Sequence, residues 1–300
     1  MKRLLGPLVL WFLVAGVACA ANIPEQVKKA IGFIFVPGPT AQPVPNGTCF
    51  FVFVKDEAHP DRGWGYLVTA KHVVQQEGVF YPNVWVRLNK KAGGVESLVL
   101  PLVLNGPQKN VFVHEDSSVD LVVVRVPQPD PTKYDVFALP QELLTSQHDF
   151  DELKISEGSD VFFTGMFLPH IGANKNYPVV RFGRVALLSD ERINWDSVAM
   201  DLYLIETLSF GGNSGAPVFF YLGGDRTPGV IEFGPPILKL AGIMKGFFGE
   251  LEPIGVVETR PTPASRANVG IAAVIPAYKL HDILNGSELQ DQRKGPVKAQ

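Results

Sequence analysis

Trp64-Gly65-Tyr66-Leu67-Val68-Thr69-Ala70-Lys71-His72-Val73-Val74 reads as a buried strand that stops abruptly. Its first half is apolar and aromatic, which suits a packed, pleated surface. Thr69 and Ala70 are small enough for a tight turn, and His72 then projects from a short helical turn. Further on, Ser118-Val119-Asp120-Leu121-Val122-Val123-Val124 sets an acidic residue at the head of a strongly apolar strand. A carboxylate beside a core is costly unless paired, so Asp120 should have a partner. In Gly211-Gly212-Asn213-Ser214-Gly215-Ala216-Pro217, a serine stands at the apex of a glycine-rich turn that feeds another strand.

The same grammar of short, β-branched runs between turn residues extends in both directions. Residues 32–36, 48–54, 64–69, 84–88, 98–104 and 121–126 read as a first set of strands. Pro127-Gln128-Pro129-Asp130-Pro131 cannot continue a strand, and a polar connection follows to about Asp151. A second set covers 160–167, 179–188, 201–206, 217–221, 238–244 and 269–275. The expected fold is therefore all-β, with two antiparallel six-stranded β-barrels over 30–140 and 151–285, because closure removes exposed edges. Residues 223–236 and 246–268 read as long loops of the kind that are usually functional or mobile. Residues 277–284 read as a short C-terminal helix with Leu280, Ile283 and Leu284 on one face, stopped by Gly286. The polar tail 286–300 is expected to be disordered.

Composition agrees with a folded globular chain. Of 300 residues, 46% are hydrophobic and 19% charged, and 29 Gly and 25 Pro fall between the apolar runs. Residues 1–20 read as a signal peptide, with Lys2 and Arg3 before an apolar stretch and Ala18-Cys19-Ala20 as the cleavage pattern. The stretch is short for a membrane anchor and contains Pro7, and Gly16 disfavours acylation of Cys19. Cleavage would give a periplasmic or secreted protein with no stable membrane insertion. It would also remove Lys2 and Arg3, taking the formal charge from −3 to −5 and leaving no basic stripe for nucleic acid. Cys49 would be the single remaining cysteine, buried and inert, with no internal disulfide. His59, His114, His148, His170 and His281 show no metal-ligand spacing, so neither a metal nor a cofactor is expected.

The three opening segments supply complementary chemistry. A serine hydroxyl is a weak nucleophile until a base takes its proton. An imidazole, with its ordinary pKa near ~6.5, suits that task, which assigns the base to His72. Asp120 would hold the imidazole in one tautomer and stabilise the imidazolium. The glycines would let the Gly212 and Ser214 amides converge on a developing oxyanion.

These segments resemble the trypsin/chymotrypsin clan of serine proteases. Thr69-Ala70-Lys71-His72 matches that family's Thr-Ala-x-His, and Asp120 precedes an apolar run as its aspartate does. The stretch from Gly212 to Pro217 matches its Gly-Asp/Asn-Ser-Gly-Gly-Pro, with Ala216 replacing the second glycine. The order His–Asp–Ser, 48 and 94 residues apart, also agrees and covers the chain over about 32–284. An α/β-hydrolase would run Ser–Asp–His around an elbow that Ala216 breaks. The resemblance implies a triad of His72, Asp120 and Ser214, and an acyl-enzyme mechanism acting on polypeptides. Asn213 stands where members activated by proteolytic trimming carry an Asp, and is similar to the bacterial high-temperature-requirement branch, whose PDZ domain is not expected here. The same resemblance puts Leu208 at the floor of the primary pocket and Met244, Lys245 and Gly246 along one wall. With no acid at that floor, small or medium apolar side chains are the expected substrates. A non-catalytic binding protein on a protease fold, or a hydrolase acting chiefly on esters, remain the alternatives.

Overall fold

The computed structural model describes residues 23–40, 42–57, 59, 62–223, 234–252 and 265–294. The expected signal segment, the centres of both expected loops and the last six residues lie outside the described residues. Among the described residues, eighteen strands and four α-helices follow one another along the chain. In the first lobe the strands are β1 (Ile31–Pro37), β2 (Pro43–Lys55), β3 (Gly63–Ala70), β4 (Gln75–Gln76), β5 (Val79–Phe80), β6 (Asn83–Asn89), β7 (Val95–Pro101), β8 (Val111–Val113), β9 (Leu121–Val126) and β10 (Leu139–Pro140). The second lobe holds β11 (Asp160–Gly165), β12 (Val179–Leu188), β13 (Ile193–Trp195), β14 (Val198–Met200), β15 (Tyr203–Glu206), β16 (Pro217–Leu222), β17 (Ile237–Glu252) and β18 (Ser265–Pro276). The helices are α1 (Glu25–Lys29), α2 (Gln147–Glu152), α3 (Ala277–Leu284) and α4 (Ser287–Lys294).

The second lobe is a closed antiparallel barrel in the order β11-β12-β15-β18-β17-β16. The first differs in detail from the six-stranded expectation. Its ladder runs β7-β6-β1-β2-β3-β9-β8, with β10 added to β2, and among the described residues no ladder joins the two ends. Instead Val103, just past β7, accepts the amides of Asn110 and Val111 at 2.9 and 3.3 Å. The Asn110 side-chain oxygen accepts the Val103 amide at 2.8 Å. The sheet thus curls shut through irregular hydrogen bonds, a side chain standing in where β8 is too short for pairing.

Apolar runs without alternation arise because both faces of the inner strands are covered. Along β2, Cys49 and Phe51 point into the first lobe, while Phe50, Val52 and Val54 point into a seam between the lobes. Along β9, Val122 and Val124 point inward, while Leu121 and Val123 join the seam. From the other side, Phe162 of β11 and Phe219 of β16 enter the same seam, and their neighbours Val161 and Val218 fill the second barrel. Cys49 is fully buried there, and burial raises its thiol pKa, so it is a packing residue.

Two expectations need correction. The segment 246–268 is not a loop throughout, since β17 and β18 run well past the barrel as a paired ribbon. Nor is the tail disordered over 287–294. There α4 docks on the first lobe, with Leu289 buried and Arg293 stacked over Trp64 and Tyr66 at 5.9 and 5.7 Å. The polar sequence concealed this because one apolar residue makes the anchor.

Candidate active site

His72 stands on a single 3-10 turn, Lys71–Val73, at the end of β3. Asp120 immediately precedes β9, which pairs with β3 so that Ala70 lies opposite Leu121. That register brings the two side chains together although they are 48 residues apart. His72 Nδ1 lies 2.6 Å from Asp120 Oδ2, and the His72 amide donates to Oδ1 at 3.0 Å. Asp120 is nearly buried. Burial works to raise its pKa, but the hydrogen bond and charge of His72 and the nearby Lys245 outweigh it and bring the pKa down to about 2. Asp120 is therefore an anion at neutral pH, and 46% of the His72 side chain is exposed.

Ser214 comes from the second lobe, on the turn leading into β16. Gly212 and Gly215 flank it with φ of +91° and +82°, values that side-chain-bearing residues avoid. A side chain at Gly215 would meet the Thr48 carbonyl and the Thr69 hydroxyl. Asn213 is buried, and its amide is satisfied within the turn. Oδ1 accepts the Phe210 amide at 2.9 Å and Nδ2 donates to the Met166 carbonyl at 2.7 Å. Among the described residues, no acceptor meets the amides of Gly212 or Ser214, the two groups expected to face an oxyanion. The Ser214 hydroxyl donates to the Lys245 carbonyl at 3.0 Å, and no hydrogen bond joins it to His72 among the described residues.

Sequence reasoning missed the segment that locks these two turns together. In the β1–β2 ladder, Ile34 pairs with Gly47 and Phe35 with Pro45, so Asn46 is an extra, bulged residue. Its Nδ2 donates to the Val73 carbonyl at 2.7 Å, fixing the turn that bears His72. Next to it, a Cβ on Gly47 would lie 2.6 Å from Val73 Cγ1 and 3.1 Å from the Ser214 carbonyl oxygen. Thr48 then reaches the Ser214 turn. Its amide donates to the Ser214 carbonyl at 2.9 Å, and its hydroxyl donates to the Gly212 carbonyl at 2.7 Å. The same hydroxyl accepts the Met166 amide at 2.9 Å, and Thr69 Oγ1 donates to the Thr48 carbonyl at 2.7 Å. An Asn-Gly pair interrupting an apolar strand was the available signal.

The residues expected around the substrate pocket separate. Leu208 is half-exposed, whereas Met244 is fully buried in the core of the second barrel. Gly246 lies under Trp195, with 3.3 Å between the ring and a would-be Cβ. Lys245 directs its side chain to Asp120. The β17–β18 register skips between Met244 and Gly246, so Lys245 is bulged out of the alternation. Its Nζ lies 2.7 Å from Asp120 Oδ2 and 5.3 Å from the Trp195 ring centre. Glu206, at the outer end of β15, is exposed. A cavity of about 1030 Å³, lined by residues such as Trp64, Asp149 and Arg293, touches none of these groups.

No family model matches the sequence, and no curated protein resembles it in sequence. Among solved structures, it is similar to the protease domain of MamO from Magnetospirillum magneticum in its apo form. Identity there is 16%, over 86% of this chain and 97% of that one, with a TM-score of 0.47. It is also similar to Rv3671c from M. tuberculosis H37Rv, a serine-to-alanine variant in an inactive form. That match has 15% identity over 90% of each chain and a TM-score of 0.44.

Proposed function

We propose that the chain is an exported serine endopeptidase of the trypsin/chymotrypsin type, cleaving polypeptides through an acyl-enzyme. The observation that carries this reading is the His72–Asp120 pair at 2.6 Å, set at a seam where the second lobe presents Ser214 between two positive-φ glycines. In this mechanism Ser214 Oγ attacks the scissile carbonyl carbon while His72 takes its proton. The carbonyl oxygen becomes an oxyanion facing the Gly212 and Ser214 amides. Collapse expels the amine, which takes the proton back from His72 and leaves an ester on Ser214. Water, deprotonated by His72, then hydrolyses the ester.

Several details support the finer parts of the reading. Asn213 has both ends of its amide satisfied internally, so the nucleophile turn needs no ion pair from a freshly cut amino terminus. A chain starting at Ala21 should be active without further trimming. Half-exposed Leu208, with Glu206 directed to solvent, leaves no acid to receive a basic side chain, so apolar residues should precede the cut.

One observation favours a second reading, a non-catalytic protease fold: the Ser214 hydroxyl is bonded to Lys245 and not to His72. The test is labelling with a fluorophosphonate, followed by a mass-spectrometric profile of a proteome digest. Labelling abolished by Ser214→Ala, with cuts after apolar residues, is the expected result. An unlabelled wild-type chain would favour the second reading, and labelling without peptide cleavage would favour an esterase.

A further inference from the structure

Arg181, near the start of β12, is a half-buried cation against the Ser214 turn. Among the described residues its guanidinium makes no ion pair and no hydrogen bond, and its Nε is buried without a partner. Arg87, by contrast, donates to the carbonyls of Gly172 and Ala173 at 2.7 and 2.8 Å. Arg181 is held by rings instead, 4.8 Å from the centre of Phe210 and 5.8 Å from that of Phe167. Phe210 belongs to the Ser214 turn, since its amide and its carbonyl both bond to Asn213, at 2.9 and 3.0 Å. Phe167 leads into Leu168, whose side chain comes within 2.9 Å of a would-be Cβ on Gly212. Leu168, Leu208 and Phe210, from the same two segments, are all exposed apolar side chains.

We propose that Arg181 binds a carboxylate of the polypeptide held at Ser214, either an acidic side chain or the chain's C-terminus. The inference rests on the serine hydrolase reading and deepens it by naming a substrate class. Stacking grips a guanidinium by its faces and leaves its N–H edge free. In that geometry arginine takes a carboxylate through two parallel hydrogen bonds. A buried N–H without an acceptor is costly, and an arriving carboxylate removes that cost. The chain's own acid on the neighbouring strand does not supply it, because Asp160 of β11 is engaged by Arg184 at 3.1 Å. Leu208 offers an apolar surface to the residue before the cut, so the carboxylate belongs to another position of the substrate.

The experiment measures peptide binding to the mature chain carrying Ser214→Ala, so that no turnover is needed. The probes are alanine–leucine peptides blocked at both ends, with a single Glu or Gln stepped through every position, and the same peptides with a free C-terminal carboxyl. At one position Glu should bind about tenfold more tightly than Gln, or the free carboxyl about tenfold more tightly than its amide. Which pair differs identifies the source of the carboxylate. Adding Arg181→Gln should abolish the ratio, and Arg181→Lys, which keeps the charge but loses the paired N–H edge, should reduce it. If Arg181→Gln does not fold, the Lys variant decides. No difference between Glu and Gln or between the end forms, absence of binding included, would overturn the proposal. So would a wild-type ratio in the folded variants. Weaker binding of every peptide alike in Arg181→Gln would make the residue a brace for the turn and overturn the proposal too. Fluorophosphonate labelling of the wild-type chain runs in parallel. An unlabelled chain that shows the ratio sinks the serine hydrolase reading and leaves the carboxylate site standing.

Discussion

At the scale of single residues, Asp120 accepts from three donors: the His72 amide, His72 Nδ1 and Lys245 Nζ. Asp120→Asn should lower kcat by about 10⁴, because an amide can present its N–H to the imidazole and fix the wrong tautomer. Here it should also destabilise the fold by about 3–5 kcal/mol, since Lys245 is left as a nearly buried ammonium without a counter-charge. Measuring kcat well below the variant's melting temperature separates the two effects. A rate loss of tenfold or less in folded protein would move the role to another carboxylate. Because the Asp120 pKa is lowered on folding, its contribution is full above the unfolded value near 3.8. It is lost as pH falls through about 2, a difference of about 2 kcal/mol. Asp120→Asn should therefore flatten the acid-unfolding curve between pH 4 and about 2. The pairing of His72 with Asp120 was legible in the sequence because each is a polar residue at the abrupt end of an apolar strand, whereas Ser214 stood out by its glycine-rich turn. Lys245 was read as pocket wall, because a bulge that redirects a side chain leaves no mark in the residue pattern.

At the scale of elements, two bulges build the site. One in β2 aims Asn46 at the His72 turn, and one in β17 aims Lys245 at Asp120. Thr48, beside the first, ties the Ser214 turn to Thr69 near the end of β3. Thr48→Val keeps the shape but leaves the Gly212 carbonyl and the Met166 amide without their buried partner. Each orphaned group costs about 1–3 kcal/mol, so a melting-temperature drop with at least a tenfold loss of kcat is expected. Gly47→Ala should act by crowding, since its methyl would press on Val73 and the Ser214 carbonyl, at a typical cost of about 1–3 kcal/mol. Unchanged melting and activity in both variants would show that the segment merely passes by. The principal strands were readable because strands buried on both faces leave long β-branched runs. β8 was missed because three residues carry no period, and β13–β14 because Asp196-Ser197 is a poor match to the Asn-Gly signature of its turn. α2 did carry a signal, the Ser146-x-x-Asp149 capping box, in which Asp149 Oδ2 accepts the Ser146 amide at 2.6 Å.

At the scale of the whole molecule, His72 and Asp120 belong to one lobe and Ser214 and Lys245 to the other, so the candidate site exists only while the seam holds. Part of what holds it is remote from the chemistry. After β18 the chain crosses back to the first lobe as α3, with Leu280 and Leu284 buried in the seam, and then as α4. The α4 contacts are Leu289, 1% exposed, the Lys109–Glu288 ion pair at 2.6 Å, and Arg293 over Trp64 and Tyr66. The exposed ion pair contributes little, about 0–1 kcal/mol. Leu289 should dominate, because truncating a buried leucine removes its transfer energy and leaves a cavity, together about 2–5 kcal/mol. At about 2–4 °C per kcal/mol for a chain of this size, Leu289→Ala should lower the melting midpoint by at least 4 °C. Lys109→Ala should lower it far less. Since α4 touches none of the triad, kcat at low temperature should stay within twofold of wild type in both variants. Calorimetry together with steady-state kinetics checks this. A Leu289→Ala midpoint within 1 °C of wild type would mean that α4 does not dock in solution, and that the two lobes are joined by α3 and the seam alone.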